Sequence, residues 1–89
     1  MFYNFQIFET PISEFCMSAK LAETTFDGDV KSIDAIRATA SELLFGANRE
    51  NNPSFAYCVD TLESVDVWIW DYNNGWDKVA IFDVKDLRK

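Results

Sequence analysis

The sequence predicts an α+β fold, a two-layer sandwich in which an antiparallel sheet carries two helices on one face. Three observations lead there. The stretch from Val65 to Val84 reads as a β-hairpin around Asn74-Gly75. Residues 2–9 and 54–62 read as two further strands. Between them, apolar residues recur at helical spacing. The order is β-α-α-β-β-β with a C-terminal three-stranded meander, in one domain over 1–89.

The first strand alternates Tyr3, Phe5 and Ile7 with Asn4 and Gln6, while Phe2 and Phe8 add apolar groups at its ends. Thr10 suits an N-cap and Pro11 a first helical position. Ile12, Phe15, Cys16, Ala19 and Ala22 follow at helical spacing, which predicts a helix over 11–23. Phe15, Met17, Ala19 and Leu21 also alternate as a strand would; propensity and the Thr-Pro start favour helix. Residues 24–29 form a break. Ser32 then caps a second helix, with Asp34 in its first turn and a stripe of Ile33, Ile36, Ala40, Leu43, Leu44 and Ala47. Gly46 or Asn48 ends it. After a polar loop, residues 54–62 place Phe55, Tyr57 and Val59 on one strand face and Ala56, Cys58 and Leu62 on the other.

Asn74-Gly75 as a two-residue type I′ turn pairs Asp71 with Lys78, Trp70 with Val79, Trp68 with Ile81 and Val67 with Phe82. A three-residue loop, Asn73 to Gly75, would oppose Asp71 and Asp77, so the first register is preferred. It puts Trp68, Trp70, Val79 and Ile81 on one face and Val65, Val67, Ile69, Ala80, Phe82 and Val84 on the other. Both faces are apolar. Helices cover one; the Trp68/Trp70 face is either covered by a loop or the N-terminal segment, or meets a partner. The tail from Lys85 to Lys89 is polar and expected to fray.

Fifteen acidic residues against eight basic ones leave a net charge of −7. Bare nucleic acid and anionic membranes are therefore poor partners, and a basic protein surface is a good one. The acidity concentrates in the aromatic region: Asp60, Glu63, Asp66, Asp71, Asp77, Asp83 and Asp86 lie near only Lys78 and Lys85. The N-terminus lacks signal-peptide character and no run reaches transmembrane length, which suggests a cytoplasmic protein with Cys16 and Cys58 reduced and buried.

Catalysis is not expected. Histidine is absent, and neither cysteine has a base to activate it. The scattered Gly28, Gly46 and Gly75 build no phosphate loop. Asp27-Gly28-Asp29 resembles a calcium loop only at its start, since Lys31 stands where a further ligand is needed. No cofactor or metal is implied. Trp68-Ile69-Trp70 and Phe55-Ala56-Tyr57 lack the basic neighbours of a base-stacking platform.

What remains is recognition. The expected function is a small acidic inhibitor that occludes a basic, nucleic-acid-handling protein, in the manner of phage anti-defence (anti-CRISPR), DNA-mimic or immunity proteins. Trp68, Trp70, Tyr72 and Trp76 would anchor the partner, and Asp66, Asp71, Asp77 and Asp83 would steer it. Asp66 is expected to face Asp83 across the hairpin. The alternative is a homodimer or larger homo-oligomer, a structural or accessory domain that buries the second apolar face against its own copy. An enzyme or small-ligand domain with an aromatic pocket ranks behind both.

Overall fold

The computed structural model describes residues 2–11, 19–28 and 32–88, apart from the Asn48 side chain. In chain order the elements are β1 (Phe2–Glu9), β2 (Lys20–Asp27), α1 (Ile33–Phe45), α2 (Ala47–Glu50), α3 (Pro53–Asp60), β3 (Ser64–Asp71), β4 (Gly75–Asp83) and α4 (Val84–Leu87). The strands form a four-stranded antiparallel sheet in the order β2-β1-β3-β4. The α+β class with an antiparallel sheet is thus as the sequence implies, but two elements differ.

The first is β2. Of the helix expected over 11–23, residues 12–18 lie outside the described residues, Cys16 among them. Lys20–Asp27 is a strand that pairs with β1 from Phe2 opposite Asp27 to Phe8 opposite Lys20. Thr24, Thr25 and Phe26 favour the pleated backbone, and pairing with β1 outweighs the local helical spacing of Ala19 and Ala22. The second is the expected strand over 54–62, which is helix α3. Asn52 caps it, its side chain accepting from the Phe55 N–H at 3.1 Å, and Pro53 occupies the first turn. A helix buries Val59 and half-buries Phe55 and Ala56 while leaving Tyr57 and Cys58 in solvent. Cys58 is therefore exposed, not buried as its apolar neighbours suggest. The expected meander reduces to the β3–β4 hairpin, and β1 fills the place beside β3.

Register sorts the side chains. Phe5 lies opposite Ile69 and Ile7 opposite Val67, while Tyr3 lies opposite Phe26. Val65 lies opposite Phe82 and Val67 opposite Ala80. These residues share one face and meet Ile36, Ala40, Leu44, Val59, Val84 and Leu87 of the helices in one core. Burying each large aliphatic or phenyl group there contributes about 1.5–3 kcal/mol. All the described helices that reach the core lie on this side of the sheet.

Helix α1 begins as expected: the Ser32 hydroxyl accepts from the Ala35 N–H at 3.4 Å, and Asp34 sits in the first turn 3.7 Å from Arg37. Its stripe buries Ile36, Ala40 and Leu44, whereas Ile33 is exposed. It ends at Gly46, whose N–H donates to the Glu42 carbonyl at 2.9 Å. A Cβ at Gly46 would stand 2.3 Å from that same carbonyl oxygen, so the close approach requires glycine. The described part of the tail, through Arg88, is packed rather than frayed as its polarity suggests. Val84 and Leu87 of α4 are buried, and the Ser41 hydroxyl donates to the Leu87 carbonyl at 2.6 Å.

Asp60 ties the helices together at the surface. It accepts from Arg49 Nη2 at 2.7 and 2.8 Å and from Arg88 at 3.2 Å, and both guanidinium groups lie over the Phe45 ring. The hydrogen bond from Arg49, together with the charges of Arg49 and Arg88, holds the Asp60 carboxyl below the usual carboxylate range. A depressed carboxylate contributes stability that is present above its unfolded value, about 4, and lost as pH falls through the folded value.

Two outcomes follow from this packing. Gly46→Ala destabilises the chain by about 1–3 kcal/mol, because backbone must move to admit the methyl. Thermal unfolding would read this as a fall of roughly 4–8 °C per kcal/mol. Asp60→Asn flattens the fall in melting temperature below about pH 4; an unchanged slope would show that the Arg49–Asp60–Arg88 cluster adds nothing in that window.

Candidate functional site

The face of the sheet away from the helices carries the candidate site. On β1 it presents Phe2, Asn4, Gln6 and Phe8. On β3, Asn4 lies opposite Trp70, Gln6 opposite Trp68 and Phe8 opposite Asp66. On β4, Trp70 lies opposite Trp76, Trp68 opposite Lys78 and Asp66 opposite Ile81. All three tryptophans therefore share one face.

This differs from the expected register, which put Trp76 on the other side. The loop is Tyr72–Asn74, closed by Asp71 opposite Gly75. Asp71 Oδ1 accepts from the Asn73 and Asn74 N–H groups at 2.7 Å each, and Oδ2 accepts from Asn74 Nδ2 at 3.3 Å. Gly75 takes φ +68°, a backbone that favours glycine. Asp71 is thus engaged by its own loop rather than by Lys78, and those amides hold its carboxyl below the usual range. Between Trp68 opposite Lys78 and Val67 opposite Ala80, one residue, Val79, is extra. This β-bulge shifts the parity of β4: Trp76 and Lys78 turn to the tryptophan face, while Ala80 and Phe82 stay on the core face. Val79 itself packs against the core beside Ala80.

The face is open, and its aromatic residues stand among polar ones: Asn4, Gln6 and Lys78, with Glu23, Thr25 and Asp27 on β2. Trp68 and Trp70 are half-buried, whereas Trp76 is 48%, Ile81 57% and Phe2 69% exposed. Tyr72 projects from the loop at 92% exposure and meets the Trp70 ring edge-on, centroids 4.9 Å apart. A groove of about 410 Å³ runs between Gln6, Phe8, Trp68 and Trp76. Its flank holds a buried charge. Asp66 is 3% exposed and accepts from the Thr10 hydroxyl at 2.6 Å. Lys78 Nζ lies 3.7 Å from Asp66 Oδ2 and 5.7 Å from the Trp68 ring centroid. The Gln6 amide donates to Glu23 Oε2 at 3.0 Å, and Lys20 holds the other oxygen of Glu23 at 3.3 Å.

The chain matches no protein-family model, no curated protein and no solved structure. The site must be read from its own chemistry. Its walls are rings and one amide, with the Asp66–Lys78 ion pair on the flank, a set suited to holding a group in place. Among the described residues, no three Cys, Asp or Glu side chains are grouped to hold a metal ion, and no helix is long and apolar enough to cross a membrane.

The expected site residues fare unequally. Trp68, Trp70 and Trp76 come together, with Tyr72 at the rim. Asp66 is not a surface steering group, because strand β3 buries it and Lys78 and Thr10 satisfy it; its cross-strand neighbour is Ile81, and Asp83 lies opposite Ser64. Asp71 caps the loop. Asp77 is exposed opposite Ile69, so it points to the helix side of the hairpin tip, and Asp83 is exposed just before α4. Ile81 lies on the tryptophan face as expected, whereas Gln6, Phe8 and Lys78 join the site unannounced. The even positions of β1 signalled Gln6 and Phe8, but only the partner of β1 reveals what they line.

Asp66→Ala leaves the Thr10 hydroxyl and the Lys78 ammonium without their acceptor. The loss is expected at about 1–3 kcal/mol, checked by denaturant unfolding. A loss below a few tenths of a kcal/mol would show that water replaces the carboxylate freely.

Proposed function

We propose that this chain is a protein-binding inhibitor that lays its tryptophan face against a basic surface of a nucleic-acid-handling protein and occludes it. The observation that carries this reading is the gathering of Trp68, Trp70 and Trp76, with Ile81 and Phe2, on one open sheet face. Large rigid aromatic side chains make strong anchors, and exposed aromatic residues gathered on one face mark interaction sites. The occupant is argued from charge. The chain carries a net −7, and among the described residues Glu63, Asp77, Asp83 and Asp86 have no ion pair. Such a surface speeds the approach of a cationic partner and disfavours phosphate. Small acidic blockers of this class include phage anti-defence and immunity proteins, which act in the cytoplasm of the cell that makes their target. No catalytic role is assigned.

The test isolates the basic nucleic-acid-binding protein retained by the tagged chain from nuclease-treated lysate, then measures that partner's nucleic-acid binding with purified components. Wild type is expected to block it. Trp76→Ala should weaken the block about 30-fold, corresponding to an anchor of about 2 kcal/mol. Asp77→Lys with Asp83→Lys should slow association and steepen with falling salt. A partner that binds nucleic acid equally well in the presence of the chain, or that ignores Trp76→Ala, sinks the reading. A light-scattering mass of twice the chain, reduced to one by Ile81→Asp, would instead assign the face to a second copy.

A further inference from the structure

Within the tryptophan face, the groove between Gln6, Phe8, Trp68 and Trp76 has a chemistry more specific than apolar. Its walls are three aromatic rings and one amide. The faces of the two indoles and the phenyl ring carry the negative lobe of their quadrupoles. The Gln6 amide is oriented by Glu23: a carboxylate only accepts, so Nε2 must be the atom that donates to Glu23 Oε2 at 3.0 Å. Gln6, which lines the groove, is then left with Oε1 as an acceptor to which no described residue donates. The buried Asp66 carboxylate lies beside the groove next to Phe8.

The molecule already shows what such an arrangement attracts. Lys78 Nζ lies over the Trp68 ring, 5.7 Å from its centroid, while 3.7 Å from Asp66. It is the one cation of the described residues placed on a tryptophan ring. Its ammonium occupies one flank and leaves the groove of about 410 Å³ open. The groove is open along its length rather than enclosed, so a side chain can lie flat in it.

We infer that this groove receives an arginine side chain of the basic partner, its guanidinium flat against the indoles of Trp68 and Trp76 and donating to Gln6 Oε1. The inference rests on the docking reading above and names the group that the face recognises. Arginine fits better than lysine for physical reasons. Its guanidinium is planar, weakly hydrated and rich in in-plane donors, so it stacks and donates at once, whereas a compact ammonium keeps its water. Lys78 stands beside the seat as a like charge. It keeps Asp66 neutralised while the groove is empty and tempers affinity for any stray cation.

The experiment titrates the full chain with three blocked tripeptides, Gly-Arg-Gly, Gly-Lys-Gly and Gly-citrulline-Gly, following tryptophan fluorescence and the indole N–H resonances. The arginine peptide is expected to bind about 5-fold tighter than the lysine peptide of equal charge and about 10-fold tighter than the citrulline peptide, with shifts confined to Trp68 and Trp76. Trp76→Ala leaves net charge unchanged, so general attraction persists; it should remove the arginine preference. Gln6→Met, a surface change at constant charge, should halve it or more. Equal binding of the arginine and lysine peptides overturns the inference, as does a preference that survives Trp76→Ala, or no indole shift up to about 20 mM peptide. These results are separable from the docking test. A partner lost by Trp76→Ala together with a groove indifferent to arginine leaves the docking face in place and refutes only its occupant.

Discussion

Two registers meet at Val79, and the tryptophan face depends on how they are reconciled. At the hairpin tip the Asp71 carboxylate binds the Asn73 and Asn74 amides, and Gly75 supplies the left-handed residue. Those contacts set Trp70 opposite Trp76. At the other end the core sets Val65 opposite Phe82 and Val67 opposite Ala80, because Phe82 must face the helices. The two settings differ by one residue, and the side-chain period of a strand is two. An unbroken ladder would satisfy the core and turn Trp76 and Lys78 toward the helices. The bulge absorbs the odd residue, so both ends keep their preferred partners. Lys78 on this outer strand, with the bulge beside it, also discourages pairing with another chain's edge.

The same device arranges the electrostatics. Turning Lys78 to the tryptophan face brings its ammonium to Asp66, a carboxylate that β3 places at a buried position. A buried carboxylate without a cation and a donor would be costly; Lys78 and Thr10 provide both. The acidic cluster around the hairpin therefore divides. Asp60, Asp66 and Asp71 are held by Arg49 and Arg88, by Thr10 and Lys78, and by loop amides respectively. These carboxylates shape the fold. The long-range field falls to groups such as Asp77 and Asp83, which have no ion pair among the described residues.

The helices play the complementary part. Ile36, Ala40 and Leu44 of α1, Val59 of α3 and Leu87 of α4 all close on the same sheet face. The Asp60 cluster and the Ser41–Leu87 hydrogen bond fasten the short elements to α1 and α3. With the described helices committed to one side, an apolar residue at an even position of β3 has no cover from them. That is why Trp68 and Trp70 remain half-exposed despite their size.

Strand β1, helix α1 with its Ser32 cap, and the hairpin with its two apolar faces were legible in the sequence, because each rests on local periodicity or a local cap. The Asn52-Pro53 start of α3 was also legible in principle, by the same logic applied to Thr10-Pro11, but the alternation of Phe55, Tyr57 and Val59 masked it. Strand β2 was not legible, since its identity comes from β1 alongside it rather than from its own spacing. Nor was the composition of the site. Which tryptophans share a face turns on a single extra residue, and periodicity cannot say whether a loop hydrogen bond or a buried Phe82 sets the register. The sequence by itself determined the class of fold, the excess of negative charge and the presence of surplus apolar sheet surface, all of which are sums over residues. Only the tertiary structure decided that Asp66 is interior, that Lys78 and Trp76 join Trp68, and that Gln6 and Phe8 complete a groove, because those are outcomes of strands pairing across long stretches of chain.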